Sequence, residues 1–284
     1  MATIQGERLG RSVPQNATSK RVRSLISRHI SAIGSLTLLA VILIAWEAVG
    51  RLDIVNHRIL PWPTEVFPAF FEVVSRDYFF THFQATMYEI GVGYTYAVVS
   101  GLAIGIILSF SAFLRLALMP LIIVLEVIPK VALIPLIIVW FGYDEASKIA
   151  VVTILAFFPI FLNTLSGLSE HDEDGRRLLH SMGANTWQHF KMHQLPTALP
   201  AIFAGLRIGL TLAFIGAIVA ELLTINKGLG FLVLTFKNNL QMDFVYAITI
   251  ILAGLGAFFF FLVEFIERKV VFWTGEGDVE VTNL

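Results

Sequence analysis

Two ionisable residues and two prolines lie within residues 126–135 of one long apolar stretch of this chain. The stretch, Leu116–Trp140, contains Glu126, Pro129, Lys130 and Pro135. A charge at the centre of a bilayer costs about 2.5–3.5 kcal/mol on insertion scales, so charged residues there usually face a bundle interior or a wet pathway. The acid stands four residues before the base, which favours an ion pair on one helix face. Two interpretations stay open: a bendable helix that lines a pathway, or a buried ion pair that only joins helices.

Among the other polar residues within the apolar stretches, Glu47, Glu89, Asn163 and Glu221 stand out. Asn163 follows Pro159 by four residues, and we expect it to hydrogen-bond between helices. Glu47 and Glu89 lie near the ends of their stretches, where a side chain can reach the membrane interface. Glu221 also lies near a helix end, and we predict a gate or pathway role for it. The candidates for a translocation pathway or gate are therefore Glu126, Pro129, Lys130, Asn163 and Glu221.

The sequence lacks the residues of several familiar catalytic sites. It contains no cysteine, which excludes disulfides, thiolate catalysis and cysteine-ligated metals. It has no G-x-x-x-x-G-K-S/T nucleotide loop, no H-E-x-x-H zinc motif and no G-x-S-x-G nucleophile. His189 and His193 are four residues apart, but without a third ligand nearby in sequence they favour a polar helix face over a metal site. We therefore predict no catalytic residue, no metal and no cofactor, and a protein that is not an enzyme.

The composition places these residues in a membrane. Apolar residues make up 56% of the 284 positions and charged residues only 14%, with a mean hydropathy of +0.77. Soluble domains carry roughly 25% charged residues, so a water-soluble globule of this length could not cover so much apolar surface. The formal net charge of −1 gives no basis for nucleic-acid binding.

Six stretches are long enough to cross a bilayer, since a transmembrane helix needs about 20 largely apolar residues. They are Ile30–Val49, Thr86–Phe110, Leu116–Trp140, Ile149–Leu168, Leu199–Leu223 and Val245–Ile266. With the amino terminus inside, thirteen Lys and Arg residues fall on the cytoplasmic side and six outside. We therefore predict an all-α bundle of six transmembrane helices with both termini in the cytoplasm. The predicted divisions are a basic segment over 1–29, a transmembrane domain over 30–267 and a cytoplasmic tail over 268–284.

The longest polar segment between helices, residues 169–198, is predicted to be an ordered cytoplasmic loop. Its pattern indicates a short helix, a turn at Gly183-Ala184, a second amphipathic helix and a re-entry into the membrane at Leu195-Pro196. A loop with this much order between two spans is suited to docking a partner.

This loop resembles the EAA loop of binding-protein-dependent ABC importer permeases. Gly183 and Leu195-Pro196 match the spacing of that motif, whereas Arg177-Leu178-Leu179 stands where Glu-Ala-Ala is expected and His193 replaces an isoleucine. Further segments resemble the nitrate/sulfonate/taurine group of these permeases in order and spacing. They are residues 60–66 (Leu-Pro-Trp-Pro-Thr-Glu-Val), 129–136, 140–142, 157–159, 163–164 and the Gly-Leu-Gly at 228–230.

The resemblance implies a permease of the type I importer kind that works with partners. Two permease copies would form the pore, two cytoplasmic ABC ATPase subunits would bind ATP below it, and an extracytoplasmic solute-binding protein would deliver the substrate. The loop would be the coupling helix seated on the ATPase, and a basic Arg177 there suggests an acidic partner residue. The implied coupling residues are Arg177, Leu178, Gly183, Ala184, Trp187, His193, Leu195 and Pro196.

The implied function is the import of a small solute through a multi-pass permease of the bacterial inner membrane. The resembling group suggests an organic or inorganic anion such as nitrate, a sulfonate, taurine or an aromatic acid. The alternative is a secondary transporter or channel driven by an ion gradient, with Glu126 and Lys130 as its coupling pair. That alternative often brings an inverted repeat, which the sequence does not show.

Overall fold

A computed structural model describes residues 34, 36–52, 55–56, 58–169, 175, 178–179, 181–224 and 226–273. All regular secondary structure within these ranges is helical. The chain divides into two compact units, Met1–Thr64 and Glu65–Leu284. The helices are α1 (36–51), α2 (Pro63–Val74), α3 (Asp77–Ser109), α4 (Ala112–Val127), α5 (Ile134–Phe141), α6 (Glu145–Ser169), α7 (Thr186–His189), α8 (Leu195–Thr224), α9 (Leu229–Asn238) and α10 (Met242–Val270).

In the first unit, the end of α1 is fastened to the chain that follows it. The Trp46 indole N–H donates to the Pro61 carbonyl at 3.1 Å. Glu47 accepts from the Arg51 guanidinium at 2.6 Å and from the Thr64 hydroxyl at 3.0 Å. The carboxylate of Glu47 therefore closes a local loop instead of only reaching for the interface.

The second unit is built around α6, which packs extensively against α3 and against α8, while α3 and α8 touch less. The contact among the three helices is apolar and made of small and branched residues, among them Ala97, Val152, Ala156, Ala213 and Ala217, all fully buried. Glycine allows the closest approach: a Cβ on Gly205 would stand 2.9 Å from the Pro159 carbonyl oxygen of α6. In lipid the hydrophobic effect does not drive helices together, so association depends on van der Waals packing, and small residues favour it because they let the backbones approach closely.

The predicted third span is two helices with a sharp break between them. α4 ends at Val127, a 3₁₀ turn covers Lys130–Leu133, and the segments on either side are bent by 79°. The break lies at Ile128-Pro129, where Ile128 is extended (φ −61°, ψ 127°) as a residue before proline prefers. Pro135 stands in the first turn of α5, where its missing N–H costs nothing. The prediction of a single helix over Leu116–Trp140 was therefore wrong, because the helix breaks at Pro129.

Four helices of the described residues are long and apolar enough to cross a membrane, or five if the bent pair counts as one span. The second predicted span starts earlier than predicted, at Asp77, and the fifth is the end of a continuous helical run from Thr186 to Thr224. The first predicted span, Ile30–Val49, begins outside the described residues.

Candidate functional site

Glu126 and Lys130 form the predicted ion pair at the break of the third span. The Lys130 ammonium lies 3.1 Å from Glu126 Oε2 and also donates to the Glu126 carbonyl at 3.0 Å. It stands 4.6 Å from the ring centroid of Phe158 on α6, within range of a cation–π contact. The Lys130 side chain is 16% exposed and that of Glu126 is 44% exposed. The pair is thus local to the broken span and partly open, and it is not a buried bridge between helices.

Asn163 does not make the interhelical hydrogen bond that we expected. Its side-chain amide donates at 2.8 Å to the carbonyl of Pro159 on its own helix. The Asn163 Cβ lies against Gly205 of α8, where a methyl group would approach it to 2.7 Å. Asn163 therefore contributes shape to the contact between α6 and α8.

Glu221 is fully buried near the end of α8 and is bound on both carboxylate oxygens. Oε1 accepts from the Thr86 hydroxyl of α3 at 2.6 Å, and Oε2 accepts from the Gly230 N–H of α9 at 2.6 Å. The side chain joins three helices at one point.

A second buried charge pair lies beside Glu221, and the sequence did not reveal it. The Lys148 ammonium donates to Glu89 Oε1 at 2.7 Å and to the Lys227 carbonyl at 2.8 Å. Glu89 is 0% exposed and Lys148 1% exposed. Glu89 was predicted to reach the membrane interface, which is wrong, because α6 supplies a cation at its level. The pairing joins residues of two helices that are 59 positions apart in the chain.

These side chains hold four successive residues, 227–230, which lead from the α8–α9 connection into the first turn of α9. The Gly228 N–H donates to His82 Nδ1 at 3.1 Å and the Leu229 N–H to the Thr86 hydroxyl at 2.8 Å. Gly228 has φ +122°, and a Cβ there would stand 2.0 Å from the Glu221 carboxyl carbon. Only glycine fits both conditions. We call the side chains that hold this segment the polar clamp; its members are His82, Thr86, Glu89, Lys148 and Glu221.

The loop that resembles the EAA motif is ordered over its described part. Gly183 turns the chain with φ +79°, and the Ala184 N–H donates to the Leu179 carbonyl at 3.0 Å. Asn185 and Gln188 form a reciprocal capping box that starts α7. The predicted contact residue Arg177 lies outside the described residues. Large apolar side chains in this segment are exposed: Leu178, Met182, Trp187 and Met192.

The second helix of the loop continues into the fifth span without a break. α7 passes through a π turn, Phe190–Gln194, directly into α8, so the predicted re-entry at Leu195-Pro196 is helical. A π turn shifts the hydrogen-bond register by one residue just before Pro196, which has no N–H to donate. His193 is half-buried here, with its ring centroid 5.6 Å from that of His189. The second helix of the loop and the fifth span therefore form one continuous helix.

Comparison with known proteins adds a family and several relatives. The model of a family described as "Binding-protein-dependent transport system inner membrane component" matches residues 97–272. The putative aliphatic sulfonates transport permease protein SsuC of Bacillus subtilis is 34% identical over 84% of this chain and 86% of its own length. The taurine transport system permease protein TauC of Escherichia coli is 30% identical over 88% and 92%. The riboflavin transport system permease protein RibX of Chloroflexus aurantiacus is 32% identical over 92% and 98%.

Proposed function

The chain belongs to the family of binding-protein-dependent transport system inner membrane components, and we propose that it carries a small anion across the membrane. It is a multi-pass permease subunit of an ABC importer, and not an enzyme. The observation that carries the anion proposal is its 34% identity, over most of both chains, to a permease named for aliphatic sulfonates. A permease named for taurine matches a similar share of the chain. Membership of this family favours the ATP-driven importer over a transporter driven by an ion gradient.

We propose that the pathway passes the break in the third span. The Pro129 break interrupts the helical hydrogen bonds, and Glu126 keeps almost half of its side chain exposed beside it. Polar groups and freed backbone at membrane depth are tolerated where they line a cavity or are covered by protein. Glu126, Pro129 and Lys130 are therefore our pathway residues. The contacts of Asn163 and Glu221 support a packing role for the first and an anchoring role for the second.

The coupling role of the loop is part of the same proposal. Leu178, Gly183, Ala184, Trp187, His193, Leu195 and Pro196, with Arg177, would form or support the surface that meets a cytoplasmic ATPase. The exposed apolar side chains of this segment support that role, since an unpartnered apolar surface marks an interaction site. ATP would be bound by the ATPase, and a solute-binding protein would approach from outside. A second copy of the permease would complete the pore.

The proposed topology has six spans and cytoplasmic termini. Residues 36–51 would belong to the first span, and the four long helices with the bent pair supply the other five. The Lys and Arg count over the connecting segments supports the orientation. Residues 1–29 and 268–284 would then be cytoplasmic segments on either side of the transmembrane domain.

Reconstitution in proteoliposomes tests the function. The chain would be purified with its ATPase and given its solute-binding protein, and uptake of taurine, an alkanesulfonate, nitrate and riboflavin would be measured with and without internal ATP. We expect ATP-dependent uptake of an anion and none by the permease alone. Uptake by the permease alone under an ion gradient would contradict the importer, and ATP-dependent uptake of riboflavin only would contradict the anion.

A further inference from the structure

Phe190 is the one buried residue of the coupling segment, the name we give to residues 181–194, most of which are exposed. It is 6% exposed, whereas its neighbour Trp187 is 63% exposed. The two rings stack with centroids 5.6 Å apart and planes at 24°. On its other side, the Phe190 ring meets Phe110 at 5.0 Å. The Trp187 and Phe190 rings are stacked and the Phe110 ring is tilted by 42° against Phe190, so ring contacts run from the exposed surface to the end of α3; we call these three rings the aromatic stack.

Phe110 attaches the stack firmly to the turn between α3 and α4. It is the C-cap of α3, and its N–H donates to the Ile107 carbonyl of the last turn. The next residue, Ser111, caps α4 through its hydroxyl, which accepts from the Leu114 N–H at 3.3 Å. A displacement of Phe110 therefore moves the end of α3 together with the start of α4, the helix that leads to the break at Pro129.

Two other helices meet the segment at the same place. Phe190 packs with Leu168 at the end of α6 and with Ala198 and Ile202 of α8. The Gln194 side-chain amide donates to the Leu168 carbonyl. The base of the coupling segment thus touches α3 and α6 by side chains, while α8 continues from it as a single helix.

We propose that Phe190 is a positioning residue that passes movement of the coupling segment through Phe110 to α3 and α4. The inference rests on the proposed function, because it requires an ATPase that moves the segment. Phe190 is buried among Phe110 and residues of α6 and α8, and a buried side chain passes a displacement to its neighbours, since packed cores compress little. The continuous helix moves α8 directly, whereas the turn between the end of α3 and the start of α4 meets the segment through the Phe110–Phe190 contact. The aromatic stack supplies that contact.

The test uses a reporter that needs no knowledge of the substrate. The chain has no cysteine, so Val127→Cys, at an exposed position beside the break, introduces a single thiol. Its rate of alkylation by a maleimide would be measured in the permease–ATPase complex before and after addition of ATP and vanadate. In the otherwise unaltered chain we expect trapping with ATP to change this rate.

Phe190→Ala should keep ATPase binding and ATP hydrolysis. The nucleotide-dependent change in the alkylation rate at residue 127 should fall about fivefold or more, which is the lower range of allosteric coupling. Phe190→Trp should restore the change, because a large ring refills the space. Phe113→Ala is the matched control, since Phe113 lies on α4 with its side chain exposed. Phe110→Ala should reproduce the loss, and combining it with Phe190→Ala should add nothing further, because both variants cut one contact.

The outcomes distinguish a failure of this inference from a failure of the proposed function. If the complex with intact Phe190 neither holds an ATPase nor responds to ATP, the proposed function fails. If it responds normally and Phe190→Ala retains the full response, only the inference is overturned. Additive losses in the double variant would also overturn it, because they would place the two rings on separate routes.

Discussion

Lys148 is predicted to stabilise the protein mainly by preventing an unpaired buried charge. Replacing it with methionine keeps a similar chain length and removes the ammonium group. Glu89 would then remain fully buried, and its carboxylate would lose the ammonium group that now lies 2.7 Å away. The Lys227 carbonyl would lose its 2.8 Å donor in the same step. Lys148→Met therefore breaks one side of the polar clamp without adding bulk.

The expected loss is large compared with ordinary stability. Removing one partner of a buried ion pair costs about 3–5 kcal/mol, because the remaining charge is uncompensated. The free energy of unfolding of a protein domain is about 5–15 kcal/mol, so this single change removes a substantial fraction. Replacing both members should cost far less, since a neutral pair of similar volume leaves no buried charge. We therefore expect Lys148→Met with Glu89→Gln to be closer to the unaltered protein than Lys148→Met alone.

Titration with SDS in mixed micelles, followed by far-UV circular dichroism, measures these free energies of unfolding. Lys237→Met, at an exposed position of α9, is the matched control and should leave the unfolding curve unchanged. The reasoning fails if Lys148→Met shifts the free energy by less than about 1 kcal/mol, well under the range for a broken buried pair. It also fails if the double variant loses the sum of the two single losses, because the charges would then not interact.

Three further substitutions test the clamp, the pathway and the coupling loop. Gly228→Ala should lower the thermal unfolding midpoint of the detergent-solubilised protein, because its Cβ would overlap the Glu221 carboxyl group at a residue with positive φ. Gly254→Ala is the control, since no atom lies within 4 Å of the Cβ it adds, and equal midpoints for the two variants would contradict the geometry. Lys130→Met should reduce uptake several-fold while assembly with the ATPase is retained, measured as initial rates in proteoliposomes; normal kinetics would exclude a pathway role. Arg177→Glu should weaken co-purification of the ATPase, and an unchanged yield together with unchanged uptake would remove the idea of an acidic partner.

The two charge pairs show which side-chain contacts can be predicted from the sequence alone and which cannot. Glu126 and Lys130 are four residues apart, so helix geometry predicts their pairing from spacing. Glu89 and Lys148 are 59 residues apart and meet only because α3 and α6 pack in one particular register. Nothing in a single sequence fixes that register, so Glu89 was predicted to reach the membrane interface by itself. Local pairings follow from periodicity, whereas tertiary ones require the packing.

The effect of a proline on helix continuity differs between positions of this chain, because it depends on the surrounding structure. Pro129 breaks its helix by 79°, as its missing N–H and the restricted residue before it predict. Pro196 and Pro200 do not interrupt the helical run Thr186–Thr224, although the first was predicted to mark a break. A π turn before Pro196 absorbs the lost hydrogen bond, and that adjustment has no sequence signature of its own.

The distribution of polar contacts indicates where this permease changes shape. In the polar clamp, side chains of α3, α6 and α8 hold four consecutive backbone residues, and every one of these bonds would be left unsatisfied if the helices separated. At the break of the third span, Lys130 is bound to Glu126 across Ile128-Pro129, and the Glu126 side chain is 44% exposed. Separating the clamp costs several buried hydrogen bonds, whereas flexing the break strains one partly exposed ion pair, and exposed pairs contribute little to stability. We therefore expect α3, α6 and α8 to move as one body near the clamp and the pathway to open at Pro129.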